Sequence, residues 1–209
     1  LLAEKDSSIA QISPGTRPEI EHDPDATSGD PLTSQTRELY AGYERNFSAA
    51  ATGRMPPYIV QRKFYDEIDA VAEYQDPGEH VNHFIYLHGP WRNGRESLTH
   101  ARMTKNFEDY LIVNFYARSV NVVLGPEGAD AYNVRVTLDG GPLNPKQAGV
   151  DIKFDQDGHS YVHVDEPRMY RVVKLPKFGG YEMKLSSNSE HFTVFAYTFG
   201  SYMEKPDSS

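Results

Sequence analysis

The chain has 209 residues, no cysteine and a formal net charge of −9. These values exclude disulfides, thiolate metal sites and thiol catalysis, and they argue against nucleic acid, whose phosphates need a basic surface. The acidity is concentrated in residues 1–80, which carry 15 acidic and 7 basic side chains against 15 and 14 in the remainder, so a neutral or basic protein face is the more natural partner.

Residues 1–36 are dominated by Ser, Pro, Asp, Glu, Gly and Thr, with almost nothing bulky and apolar. Such a composition cannot build a core, so an extended tail or linker is expected, visible only where something holds it. Leu1-Leu-Ala-Glu-Lys5 fits the frayed end of a helix from a preceding domain, and an opening on Leu1 with no signal peptide suggests a fragment or processed product. An irregular arm is predicted over 37–79. Pro56-Pro57 breaks any helix there. Between Tyr58 and Tyr74 the signals conflict: Ile59, Phe64, Ile68 and Val71 approach helical spacing, while Tyr65 and Tyr74 suit strands.

From Val81 onward, strands are predicted at 83–88, 98–104, 109–117, 119–124, 132–138, 150–154, 160–165, 168–174, 181–186 and 192–200. Tyr132, Val134, Val136 and Leu138 alternate with Asn133, Arg135 and Thr137, as in a half-buried strand. Asp139-Gly140-Gly141 then supplies a turn. Phe192–Phe199 is apolar on both faces, as in a central strand. Short strands at this spacing predict an all-β fold: one antiparallel β-sandwich of jelly-roll type over 80–203, with a short tail at 204–209. The longest apolar runs, such as Tyr110–Ala117, are far too short for a membrane span.

Few residues invite a functional reading. Trp91, the single indole, lies in His88-Gly-Pro-Trp-Arg-Asn-Gly94. It can stack on a sugar ring or anchor one end of the core. Tyr40 and Tyr43 are further aromatic binding candidates. Arg92 and Arg95, with Arg102 nearby, form either a protein-docking patch or a solvated rim. Asp155 and Asp157, in Asp-Gln-Asp-Gly-His159, offer a weak calcium candidate, since the later bidentate Glu is lacking and a turn is needed there. His80, His83 and His88, like His159 and His163, have spacings unsuited to one zinc ion on a strand. No hydrolase or phosphate-loop motif is present, so neither cofactor nor catalytic residue is assigned. Asn46-Phe-Ser48 matches a glycosylation sequon, read as chance.

Several stretches carry a family likeness: Glu38-Leu-Tyr-Ala-Gly-Tyr-Glu-Arg45, Leu87-His-Gly-Pro-Trp91, Asp109–Arg118, Val136-Thr-Leu-Asp-Gly-Gly-Pro142, Pro167-Arg-Met-Tyr170 and Phe195-Ala-Tyr-Thr-Phe-Gly200. Together they resemble the C-terminal, carbohydrate-binding-module-like domain of DipZ-type and related redoxin-family thioredoxin-like proteins. The resemblance implies a β-sandwich accessory domain of an extracytoplasmic protein, placed after a thioredoxin fold that holds the redox Cys-x-x-Cys pair. It carries no catalytic residue onto this chain. The expectation is a non-catalytic interaction or scaffolding module of a redox or electron-transfer assembly, docking through its acidic tail onto other protein subunits. Two alternatives remain open: a carbohydrate-binding module with a glycan partner, and a regulator of a thioredoxin-like disulfide oxidoreductase.

Overall fold

The computed structural model describes residues 21–203, apart from 28, 54, 55, 127 and 129. The expected docking of residues 1–20, the helix remnant at Leu1–Lys5 and the tail at 204–209 lie outside the described residues. In chain order the strands are β1 (Glu21–His22), β2 (Leu39–Tyr40), β3 (Val71–Tyr74), β4 (Phe84–Asn93), β5 (Leu98–His100), β6 (Tyr110–Pro126) and β7 (Tyr132–Leu138). There follow β8 (Gly141–Pro142), β9 (Ile152–Phe154), β10 (Ser160–Val164), β11 (Arg168–Ser186), β12 (Phe192–Gly200) and β13 (Tyr202–Met203). One α-helix, α1 (Tyr43–Thr52), sits between β2 and β3.

The fold is an antiparallel β-sandwich, and two long strands organise it. The separate strands expected at 109–117 and 119–124 are one strand, β6, and those expected at 168–174 and 181–186 are one strand, β11. The first part of β6 pairs with β4 and with the end of β11, while its second part pairs with β12 and the beginning of β11. Register shifts between Arg171 and Val173 and between Lys174 and Gly179 bend β11 at the crossing, as strands that pass between layers must bend. β5 pairs with both β4 and β12 and ties the layers together at one side. The alternation read in β7 is realised: Tyr132, Val134, Val136 and Leu138 are buried. They join a core with Leu111, Phe115, Val122, Tyr170, Leu185 and Phe192.

Residues 37–79 are more regular than their sequence suggests. Gly53 ends α1 at φ +61, its N–H returning to the Ala49 carbonyl, a conformation that costs glycine little. Asn46 fixes this helix to the sandwich. Its Nδ2 donates to the Tyr40 and Gly42 carbonyls, and its Oδ1 accepts from the Tyr58 and Ile59 N–H groups, each bond 2.9 Å long. Asn46 is fully buried, so the sequon is a structural hub and not a glycan acceptor.

Part of the extended tail expected over 1–36 falls within the described residues. Residues 21–36 lie along the sandwich: β1 pairs with β13, Asp23 pairs with Arg118 at 3.0 Å, and the Thr36 N–H donates to the Tyr116 carbonyl at 2.9 Å. Backbone and side-chain hydrogen bonds, with the Asp23–Arg118 ion pair, hold this segment in place of apolar anchors, which is why composition did not register it.

Candidate functional site

The motif around Trp91 is a crossing point. Up to His88 the strand β4 pairs with β6; from Gly89 onward it pairs with β3, and from Trp91 with β5. Gly89 has φ +89, and a Cβ there would collide with the Asp109 carboxylate, so glycine serves both the turn and the close approach. Trp91 is wholly buried, donates Nε1–H to the His88 carbonyl at 2.9 Å, and packs on Phe192 and His100. It is therefore not a platform for a sugar ring. The core it anchors leaves no face for a ligand.

Beneath Trp91 lies a polar cluster that sequence reasoning missed. The buried Asp109 accepts from His100 Nε2 at 2.8 Å and from Arg102 Nε and Nη2 at 2.7 and 2.6 Å. Burial raises the carboxyl pKa, and the bonds from Arg102 and His100 more than reverse this, leaving it below the ordinary carboxylate value. His100 Nδ1 meets the Ser189 carbonyl at 2.8 Å. Both ring nitrogens are thus engaged by neighbours within the fold. His100 ends β5 and Asp109 sits nine positions on, just before β6, so the intervening loop brings them together.

The other predicted binding residues disperse. Tyr43 packs among Phe47, Phe64 and Tyr65 of its own arm. Arg102 is taken by Asp109. Tyr40 and Arg95 meet Glu44, Arg45 and Phe195 around a cleft of about 560 Å³ beside α1. Arg95 pairs there with Glu44 at 2.9 Å, while Arg45 lies 4.8 Å from the Tyr40 ring centre. Arg92 lines a different hollow of about 360 Å³, with Val71, His100, Ala101, Glu190 and His191.

That hollow opens into a longer groove. A second hollow of about 550 Å³ shares Glu190 and His191 with it and continues past Met103, Phe107, Asn133 and Asn188. A third of about 180 Å³ shares Phe107 and Asn133 and ends at Arg135, Tyr161, Asp155 and His159. Phe107 is the centre of this run. Its φ of +58 is unusual for a bulky side chain. The conformation is held by the Phe107 N–H donating to Asn188 Oδ1 at 2.8 Å, with the Arg135 guanidinium 4.0 Å over its ring. Asn188 also accepts from Thr104 Oγ1 at 3.0 Å, so the 104–107 loop is tied down by its own fold. The groove combines acids, cations, amides and hydroxyls with the rings of Phe107, Tyr132 and Tyr161, and no charge sign dominates it.

Asp155, Asp157 and His159 come together, with one ligand atom each within 4.8 Å of the others. Asp155 is already occupied: Oδ1 accepts the Asp157 and His159 N–H groups, and Oδ2 meets His159 Nδ1 at 3.1 Å. With Gly158 at φ +81, the segment is accounted for as the β9–β10 turn. His80, His83 and His88 part company. His80 binds Asp76 and Glu182, His83 binds Thr36, and His88 stacks on Tyr110.

A family model described as the thioredoxin-like C-terminal domain matches residues 36–200. None of the curated proteins matches the chain. Among solved structures, a family two carbohydrate esterase from Clostridium thermocellum, in complex with cellohexaose, is similar at 14% identity with a TM-score of 0.37. The alignment covers 55% of this chain and 30% of that one. A family two carbohydrate esterase from Cellvibrio japonicus is similar at 13% identity and a TM-score of 0.40, covering 66% and 35%. The chain thus spans about a third of the length of these structures. Among the described residues no helix is long and apolar enough to cross a membrane.

Proposed function

Because the chain belongs to the thioredoxin-like C-terminal domain family, we propose that it is a non-catalytic accessory module that binds a neutral, hydroxyl-rich polymer of the glycan class in the groove centred on Phe107. The observation carrying this reading is the fixed Phe107 loop within the continuous run of hollows. An aromatic ring set among side chains of mixed polarity suits a ligand with apolar ring faces and many hydroxyls. The pre-formed loop reduces the ordering cost of binding. An extracytoplasmic setting, where such polymers are met, belongs to the same proposal. Asp23, one acid of the expected docking tail, is used internally by Arg118.

Isothermal titration against a panel of soluble neutral glycans tests the proposal. At least one glycan is expected to bind, with Phe107→Ala and Tyr161→Ala each weakening it about tenfold, the equivalent of about 1.4 kcal/mol. Thermal melts of both variants confirm that they are folded. A panel with no binder, or folded variants that bind as the parent does, overturns the reading.

A further inference from the structure

A cleft that shares no lining residue with the groove lies between β11, β6 and the 146–150 loop. It encloses about 440 Å³ and is lined by four cationic residues, Arg118, Lys146, Arg171 and Lys174, and by no Asp or Glu. The lining is cationic in a chain whose net charge is −9, although Asp23 sits on Arg118 and the Asp151 carboxylate lies beside Arg171. Both walls are held in place. On one side, the Gly149 N–H donates to the Val172 carbonyl and the Lys174 N–H to the Gln147 carbonyl, both at 2.9 Å. A Cβ on Gly149 would run into the Arg171 carbonyl, so the loop can lie this close to β11 only because that residue is glycine. On the other side, Arg118 is fixed by Asp23 at 3.0 Å and the Pro176 carbonyl at 2.7 Å.

Cations alone would suit any anion, and the apolar lining narrows the choice. Val173 and Leu175 are buried in the cleft wall, while Val150 and Tyr202 are 78% and 54% exposed at it. A small inorganic ion gains nothing from such surface, whereas an apolar side chain does. We propose that this cleft binds an extended acidic peptide segment, its carboxylates reaching Lys146 and Arg171 and an apolar side chain lying against Leu175 and Tyr202. Charge complementarity of this kind steers encounter and fixes register, and it weakens with salt.

The test is fluorescence anisotropy with a labelled peptide alternating glutamate and leucine, its glutamine–leucine counterpart, inorganic phosphate as competitor, and phosphatidylglycerol vesicles in a separate arm. The glutamate peptide is expected to bind at low salt and to lose at least about tenfold in affinity in near-molar salt. Lys146→Glu combined with Arg171→Glu is expected to cost at least about tenfold, and Tyr202→Ala about threefold. Both charged positions are exposed, so the variant should fold. If a melt shows otherwise, Lys146→Gln alone, expected to weaken binding about threefold, replaces it. Equal binding of the glutamine peptide, or indifference to both charge variants, overturns the proposal. So does displacement by equimolar phosphate with no effect of Tyr202→Ala, which would mean a simple anion site. Binding to vesicles without binding to the peptide also overturns it. Glycan titrations of the same variants should match the parent, which keeps this result separate from that of the Phe107 groove.

Discussion

His100 and His80 are each held at both ring nitrogens, yet the two clusters differ in access to water. His100 and Asp109 are sealed, both side chains at 0% exposure, with Arg102 closing the cluster from the surface. His80 lies between Asp76 at 2.7 Å and Glu182 at 2.8 Å, with side-chain exposures of 8%, 14% and 35%. Tyr110 adds a hydrogen bond to Asp76 at 2.8 Å. A sealed charge cluster has no solvent to fall back on when one member is removed, so it acts as scaffold. A half-open one can re-solvate, and its strength follows the pH of the surroundings.

The largest expected effect breaks the sealed cluster. Asp109→Ala leaves His100 and Arg102 without their acceptor and should cost about 3–5 kcal/mol in urea denaturation; a loss no greater than that of Asp76→Ala would erase the contrast. Next comes Asn46→Ala, expected to cost about 2–3 kcal/mol because two buried N–H groups lose their acceptor. It shows whether a sealed neutral hub behaves like the sealed charged one.

His80→Gln sharpens the other half of the comparison, at about 1–2 kcal/mol below pH 6 for hydrogen bonds to a charged group. Burial lowers the His80 pKa, but the bonds to Asp76 and Glu182 outweigh it, so the pKa is raised from 6.5. The stabilisation is therefore full below 6.5 and is lost as pH rises through the folded value. On Asp76, burial pulls upward and the bonds from Gly78, His80 and Tyr110 prevail, placing its pKa below 3.8. That contribution is present above 3.8 and lost as pH falls through the folded value. A pH series of melts should show parental stability declining above pH 6.5, and the decline should flatten in His80→Gln. The smallest effect is Arg95→Ala, under about 0.5 kcal/mol by the same melts, since its pair with Glu44 is solvent-exposed.

The strands were legible because their signal is local. Alternation in Tyr132–Leu138 and the turn read at Asp139-Gly140-Gly141 need only neighbouring residues; the alternation appears as read, and the turn falls at Asp139-Gly140 with Gly141 opening β8. The merging of two predicted strands into β6, and of two into β11, was not legible, because a bend within a strand leaves the pattern of each half intact. The clusters were hidden for a different reason. Asp109 has only Glu108 and Tyr110 beside it in sequence, whereas its partners His100 and Arg102 reach it across a loop. Gly89 was the available signal: a glycine between His88 and Pro90 marks a close backbone approach, and here the approaching group is the Asp109 carboxylate. Trp91 offered two readings, and only its burial chooses the core. The Phe107 loop had no sequence mark, since a positive φ at phenylalanine is imposed by tertiary contacts from Asn188 and Arg135.

Because β6 and β11 each run through both layers of the sandwich, neither layer can detach without breaking the other's ladder. Amide exchange along Leu111–Leu124 should therefore report one cooperative opening, with a single free energy and no separate local step for either layer. Pairings so distant in sequence also make for a slow search during folding. Once closed, such a domain opens as a whole or not at all.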